Sequence, residues 1–216
     1  MKVQELILYS NNLTDTELFY SKILELDVIN KSENQISFMI GTSVLTFKIT
    51  SSTPTYHFAF NIPCNQIEEA VKWISNKIEL IKINNPDVIV SFENWKAKSI
   101  YFFDNNNNIV ELISKSDLEN DCKNAFSKNS LLNINEVGIG TTNPETIYNL
   151  INKETNLPQY HKGPFREDFI AQGFEDCLFV ISKNNRNWFP TNNLVQIHPL
   201  SVILKNDYRI YTLDFN

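Results

Sequence analysis

Only three cysteines occur in 216 residues, at positions 64, 122 and 177. An odd number so far apart suggests neither a disulfide framework nor a CxxC metal site, so all three are expected to be reduced thiols. Glycine is also scarce, with five residues in all, and none of them builds a phosphate-cradling loop: "GTTNPET" lacks both the lysine and the spacing. There is no GxSxG elbow, and no pairing of Cys with His points to a nucleophile. Runs of positive charge are missing as well. The net charge of −6 is spread along the chain, and the cluster "KNNRNW" is broken by asparagines, which argues against a nucleic-acid partner. No apolar run approaches the length of a membrane span, and the one after Met1 is too short for a signal peptide. The expectation is a cytoplasmic protein that meets neither nucleic acid nor membrane.

What is present is ordinary for a folded domain. The hydrophobic fraction is 42% and the charged fraction 20%, and the length suffices for a sizeable core. Asparagine is abundant, at 30 residues, which reads as the codon usage of an AT-rich genome and carries no function.

The order of elements repeats. "VQELILY" alternates as a strand should, and "NNLTDTELFYSKILEL" follows as an amphipathic helix with Thr14 as its N-cap; "QISFMI" and "SVLTFKI" then form a hairpin about Gly41. A second round opens with the strand "YHFAFNI". Asn65 and Glu68 resemble a capping box, Ile67, Ala70, Val71, Ile74 and Ile78 form one apolar stripe, and "VIVSF", "SIYFF" and "NIVELIS" supply three strands. A polar stretch, 117–130, reads as a linker or a solvated helix. The third round begins with "INEVGIG" and a helix capped by Asn143, with Pro144 in its first turn and Ile147, Leu150 and Ile151 facing inward. "DCLFVIS", "IHPLSVIL" and "YRIYTLDF" complete it. The fold class is therefore α+β, built of repeated βαβββ units over 1–116 and 131–216 with 117–130 between them.

One residue stands out from this pattern. Glu111 interrupts the aliphatic strand Ile109, Val110, Leu112, Ile113, where burial on both faces would exclude a carboxylate.

On "ELILYSNNLTDTELFYSKILELDV", on "HFAFNIP" leading into a helix, and on "AKSIYFFDNNNNIVELI", the chain resembles the vicinal oxygen chelate superfamily. That superfamily includes glyoxalase I, bleomycin-resistance proteins, fosfomycin-resistance enzymes and extradiol dioxygenases. The likeness covers residues 1–116 and is thinner over 131–216, where it rests on "INEVGI" and the strand order. It implies that units one and two pair around a glyoxalase-like cavity, with the third unit appended, and that a divalent metal is held by Glu5, His57 and Glu111. Glu5 stands where such proteins most often have histidine, and no fourth ligand occurs between Val44 and Thr55. Mn, Fe, Ni and Zn are the candidate ions, the carboxylates leaning toward harder ones such as Mn²⁺ or Fe²⁺. Tyr9, Trp95, Tyr101 and Phe103 would line the cavity.

In the third unit Glu136 matches the place of Glu5, but Thr212 stands where Glu111 does and His198 lies in a later strand, so a second complete site is not expected. "NRNWFPTN", with Arg186, Trp188 and Phe189, is read first as an anchoring loop and otherwise as one that closes over a pocket or contacts a partner. The resemblance implies a metal-dependent enzyme that chelates a small oxygen-bearing molecule; isomerisation, thiol addition, epimerisation and dioxygen insertion all stay open. The alternative is a metal-free protein that sequesters a drug-like molecule in an aromatic cleft. The third unit, with an apolar sheet face lacking an obvious partner, predicts a homodimer.

Overall fold

The computed structural model describes residues 1–83 and 86–216. Alternation in the first strand, β1 (Lys2–Ser10), sends Leu6 and Leu8 to the core and leaves Glu5, Ile7 and Tyr9 on the other, half-exposed face. Helix α1 (Leu13–Leu18) follows and runs into a π-helical turn, Phe19–Ile23. Its cap is Asn12 rather than Thr14: Asn12 Oδ1 accepts from the Asp15 amide at 3.0 Å, and Asn12 Nδ2 donates to the Asp15 carboxylate at 2.7 Å. The first bond satisfies a helix-end N–H that Thr14, already inside the first turn, has no means to reach, and the second fixes the Asn12 side chain in place. Strands β2 (Val28–Lys31), β3 (Gln35–Ile40) and β4 (Ser43–Ile49) complete unit one.

Unit two comprises β5 (His57–Asn61), α2 (Ile67–Ser75), β6 (Val90–Phe92), β7 (Ala97–Phe103) and β8 (Ile109–Lys115). The expected capping box does not form, because Asn65 is engaged elsewhere: its amide side chain both donates to the Cys122 carbonyl and accepts from the Cys122 N–H, at 2.9 Å each. Gln66 Nε2 adds a 2.6 Å bond to the Asn124 carbonyl. The polar stretch 117–130 is thus strapped across the start of α2, with short 3-10 turns at Ser116–Leu118 and Lys128–Ser130. Unit three comprises β9 (Asn133–Thr141), α3 (Pro144–Thr155), β10 (Phe165–Arg166), β11 (Phe169–Phe174) and β12 (Cys177–Lys183). Asn143 caps α3 as expected, accepting from the amides of Glu145 and Thr146. Ile151 is fully buried, but Leu150 is 40% exposed. A hairpin of β13 (Leu200–Lys205) and β14 (Ile210–Phe215) ends the fold.

The α+β class and the repeated βαβββ unit stand, but the units pair differently from the expectation. Units two and three, not one and two, share a sheet, in the order β10-β11-β12-β9-β5-β8-β7-β6, joined where β5 and β9 run antiparallel. Unit one lies in a second sheet, β14-β13-β1-β4-β3-β2. The reason is the last hairpin: Val202, Leu204, Leu213 and Phe215 bury one of its faces, and β13 occupies the edge of β1 that a second unit would need. "IHPLSVIL" and "YRIYTLDF" therefore leave unit three for the other sheet, and "FREDFIAQGF" supplies the strands that replace them.

One core joins the two sheets. Leu6, Phe38 and Phe47 from the smaller sheet pack in it with Phe58, Phe60, Leu112, Val137 and Phe179 from the larger. The apolar face of unit three is covered inside the chain, which removes the motive for a dimer through that face. Tyr20 also ties unit one to unit two by donating to the buried Asp104 carboxylate at 2.7 Å. Among the described residues no helix is long and apolar enough to cross a membrane.

Candidate metal centre

Strand parity directs side chains from the larger sheet into a cavity on the face away from that core. In β5 the aromatic residues Phe58 and Phe60 go to the core, so His57 and Ala59 take the opposite face. In β8 the same alternation turns Glu111 away from Val110 and Leu112, and in β9 it turns Glu136 away from Val137. Register brings the three strands together: Ala59 lies opposite Glu111 on one side and Glu136 on the other. One donor atom each from His57, Glu111 and Glu136 lies within 4.8 Å of the others, and all three residues are buried.

Each donor is held by a neighbour. His57 Nδ1 sits 3.1 Å from the Ile109 carbonyl, which can only accept, so the ring proton is on Nδ1 and the Nε2 lone pair faces the cluster. Burial lowers the imidazole pKa and keeps the ring neutral. Tyr101 donates its hydroxyl to Glu111 Oε1 at 3.0 Å. Burial first, and the charge of Glu136 second, push the Glu111 carboxyl up to about 8. Lys115, two residues beyond Ile113 on the same face of β8, is wholly buried with Nζ 3.1 Å from Glu136 Oε1. That contact is a charge pair without hydrogen-bond alignment, and it leaves both atoms without a hydrogen-bond partner.

These residues fit a divalent cation. Glu136 Oε1 is a buried carboxylate oxygen with unused accepting capacity, and His57 Nε2 stands 3.5 Å from Glu111 Oε2. Two donors about 2.1 Å from a shared tetrahedral ion would lie roughly 3.4 Å apart. One imidazole and two carboxylates suit borderline and hard ions better than thiolate-seeking ones.

Glu5 takes no part. It lies on β1 in the smaller sheet, where it accepts a 2.6 Å hydrogen bond from the Thr46 hydroxyl. The register of β1 shows why it resembles a ligand: Ile7 lies opposite Thr46 and Ser201, as Ala59 lies opposite Glu111 and Glu136. Glu5, Thr46 and Ser201 hold the corresponding positions of the other sheet, and two of these are hydroxyls.

Above the cluster is a cavity of about 240 Å³. Trp95 and Tyr101 line it, whereas Tyr9 and Phe103 do not. Tyr9 belongs to the other sheet, and Phe103 is at the far end of β7, two residues beyond Tyr101. The loop after β12 contributes Arg186, Trp188 and Phe189 to the wall, so of the readings offered for "NRNWFPTN" it covers the pocket. Trp188 packs against the His57 ring with centroids 5.3 Å apart. Gly138 makes that approach possible, since a Cβ there would meet the His57 carbonyl at 2.8 Å and Trp188 Cη2 at 3.0 Å.

The curled eight-stranded sheet of two βαβββ units is a glyoxalase-like fold, which solved structures share. A Bacillus subtilis protein provisionally assigned as a dioxygenase superimposes with a TM-score of 0.62 at 10% identity, over 84% of this chain and 63% of its own. The chain thus spans less than two thirds of that protein. A lactoylglutathione lyase from Agrobacterium tumefaciens covers 52% of this chain and 92% of its own at 18% identity, TM-score 0.44. A fosfomycin resistance protein from Listeria monocytogenes, solved with Mn(II) and sulfate, covers 52% and 87% at 21% identity, TM-score 0.40. No family model and no curated protein matches the sequence.

Proposed function

We propose that the chain is a divalent-metal-dependent enzyme acting on a small oxygen-bearing molecule that brings two of its oxygens to the ion. The observation that carries this reading is the convergence of His57, Glu111 and Glu136 from three neighbouring strands, buried and individually oriented, beneath an aromatic cavity. His57 Nε2, a Glu111 oxygen and Glu136 Oε1 would hold the ion, leaving positions open for substrate. An ion held there supplies a Lewis acid that lowers the cost of negative charge developing on a substrate oxygen. Tyr101 orients Glu111, Lys115 offsets the charge of Glu136, and Trp188 closes the cavity over His57 and keeps water from the ring.

A second reading has its own support. Lys115 lies beside Glu136, and the raised pKa of Glu111 favours its neutral acid, so the cluster is close to electroneutral without a metal. That suits a metal-free pocket that sequesters a flat molecule. Calorimetric titration of chelator-treated protein with Mn²⁺ at pH 8 separates the two. One ion per chain is expected in wild type and in Glu5→Gln, with loss of at least about tenfold in affinity in His57→Ala and Glu136→Gln. No uptake by wild type, or uptake that neither variant weakens, leaves the metal-free reading in its place.

A further inference from the structure

Two arginines line the cavity opposite any role in holding a cation. Arg166, on β10, and Arg186, in the loop after β12, share one carboxylate: Asp168 Oδ1 is 3.4 Å from Arg166 Nε and Oδ2 is 3.2 Å from Arg186 Nε. One acid between two guanidinium groups leaves a net positive charge at this wall. Asp168 engages the Nε edge of Arg186, and Nη1 of Arg186 is buried without a hydrogen-bond partner. The position of the residue is fixed by its backbone, whose N–H donates to the Lys183 carbonyl at 3.2 Å and whose carbonyl accepts from Val195 at 2.8 Å. Its guanidinium carbon lies 4.8 Å from the centroid of Phe169, another residue of the cavity wall. The Arg186 side chain as a whole keeps 30% of its surface exposed, and a carboxylate matches the planar fork of a guanidinium.

We infer that the ligand is a small flat carboxylate whose anionic group is recognised by Arg186 and whose ring lies between the aromatic walls. The size agrees: 240 Å³ is the liquid volume of about eight waters at ~30 Å³ each, enough for a one-ring molecule. The walls agree as well, since Trp95, Trp188 and Phe189 offer apolar faces to a planar body. This deepens the function proposed above and rests on it for which end of the ligand meets the His/Glu/Glu cluster, but recognition by Arg186 needs no metal.

The test is therefore run on chelator-treated full-length protein, with benzoate and its neutral counterpart benzamide as probes and tryptophan fluorescence as the readout, because Trp95 and Trp188 face the cavity. Wild type is expected to bind benzoate at least about tenfold more tightly than benzamide, as a charge-assisted pair requires. Arg186→Gln should bring benzoate down to the level of benzamide while leaving benzamide binding as it was. Equal affinities in wild type, or a benzoate preference that survives in Arg186→Gln, would overturn the inference. Should Arg186→Gln fail to fold, Arg186→Lys keeps the charge beside Asp168 and loses only the fork; benzoate should then weaken several-fold, and unchanged binding overturns the inference equally. Metal uptake is read separately, so failure of either proposal leaves the other visible.

Discussion

Replacing Glu111 with Gln should change how the metal-free protein responds to pH, and the size of the change follows from where the carboxyl sits. Glu111 is 2% exposed, and burial followed by the Glu136 charge raises its pKa from 4.5 to about 8. Below pH 4.5 the group is protonated in both the folded and unfolded chain and contributes nothing. Between pH 4.5 and about 8 the unfolded chain releases the proton while the folded chain keeps it, so stability falls as pH rises. Above pH 8 both forms are ionised and the loss is complete. A shift of about 3.5 units, from 4.5 to about 8, sets a ceiling near 5 kcal/mol at about 1.36 kcal/mol per unit. Part of the shift comes from the charge of Glu136 and moves with that residue, so about 2–5 kcal/mol is the expected range. Gln removes the proton and keeps the shape, with an amide oxygen still able to accept from Tyr101. Urea unfolding of chelator-treated wild type and Glu111→Gln from pH 5 to 9 reads the difference, since every other group titrates in both. The variant should gain on wild type steadily up to about pH 8 and then hold its lead. Parallel curves would refute the reasoning and place Glu111 in contact with water.

Lys115→Met removes a wholly buried ammonium 3.1 Å from Glu136; the metal-free protein should lose about 3–5 kcal/mol in urea unfolding, with added Mn²⁺ restoring most of it by replacing the lost positive charge. Gly138→Ala places a methyl 2.8 Å from the His57 carbonyl and 3.0 Å from Trp188, so a loss of about 1–3 kcal/mol and an altered Trp188 emission are expected on heating. With the apolar face of unit three buried within the chain, the full chain should sediment at 25.1 kDa; a species of twice that mass would require another face to join two copies.

The repeat was legible because amphipathic helices and alternating strands carry local signals, and these place β1, α2, β9 and α3 well. The pairing was not. Which unit joins which depends on sheet edges, and nothing in "IHPLSVIL" announces that it will cover the edge of β1. That single misplacement accounts for both errors at the site. Glu5 has the corresponding strand position in the sheet that lacks His57 and Glu111, and Glu136, matched to Glu5 in the third unit, joins those two in the buried cluster because units two and three share a sheet. Glu111 could be found from its aliphatic neighbours. Lys115 was equally open to view, since 111, 113 and 115 share a strand face, but a lysine at a strand end reads as solvated until its partner on β9 is known. Arg166 carries no local signal, because a two-residue strand brings it to the cavity, whereas Arg186 stands in "NRNWFPTN", for which a loop over a pocket is one of the readings the sequence offers.

That His57, Glu111 and Glu136 hold a divalent ion is tested most directly by anomalous diffraction from crystals of the full chain grown or soaked with Mn²⁺. A single strong peak within about 2.0–2.3 Å of His57 Nε2 and of one oxygen from each carboxylate is expected, with none beside Glu5. A cavity without a peak, with Lys115 still paired to Glu136, or a peak at Glu5 instead, would contradict it.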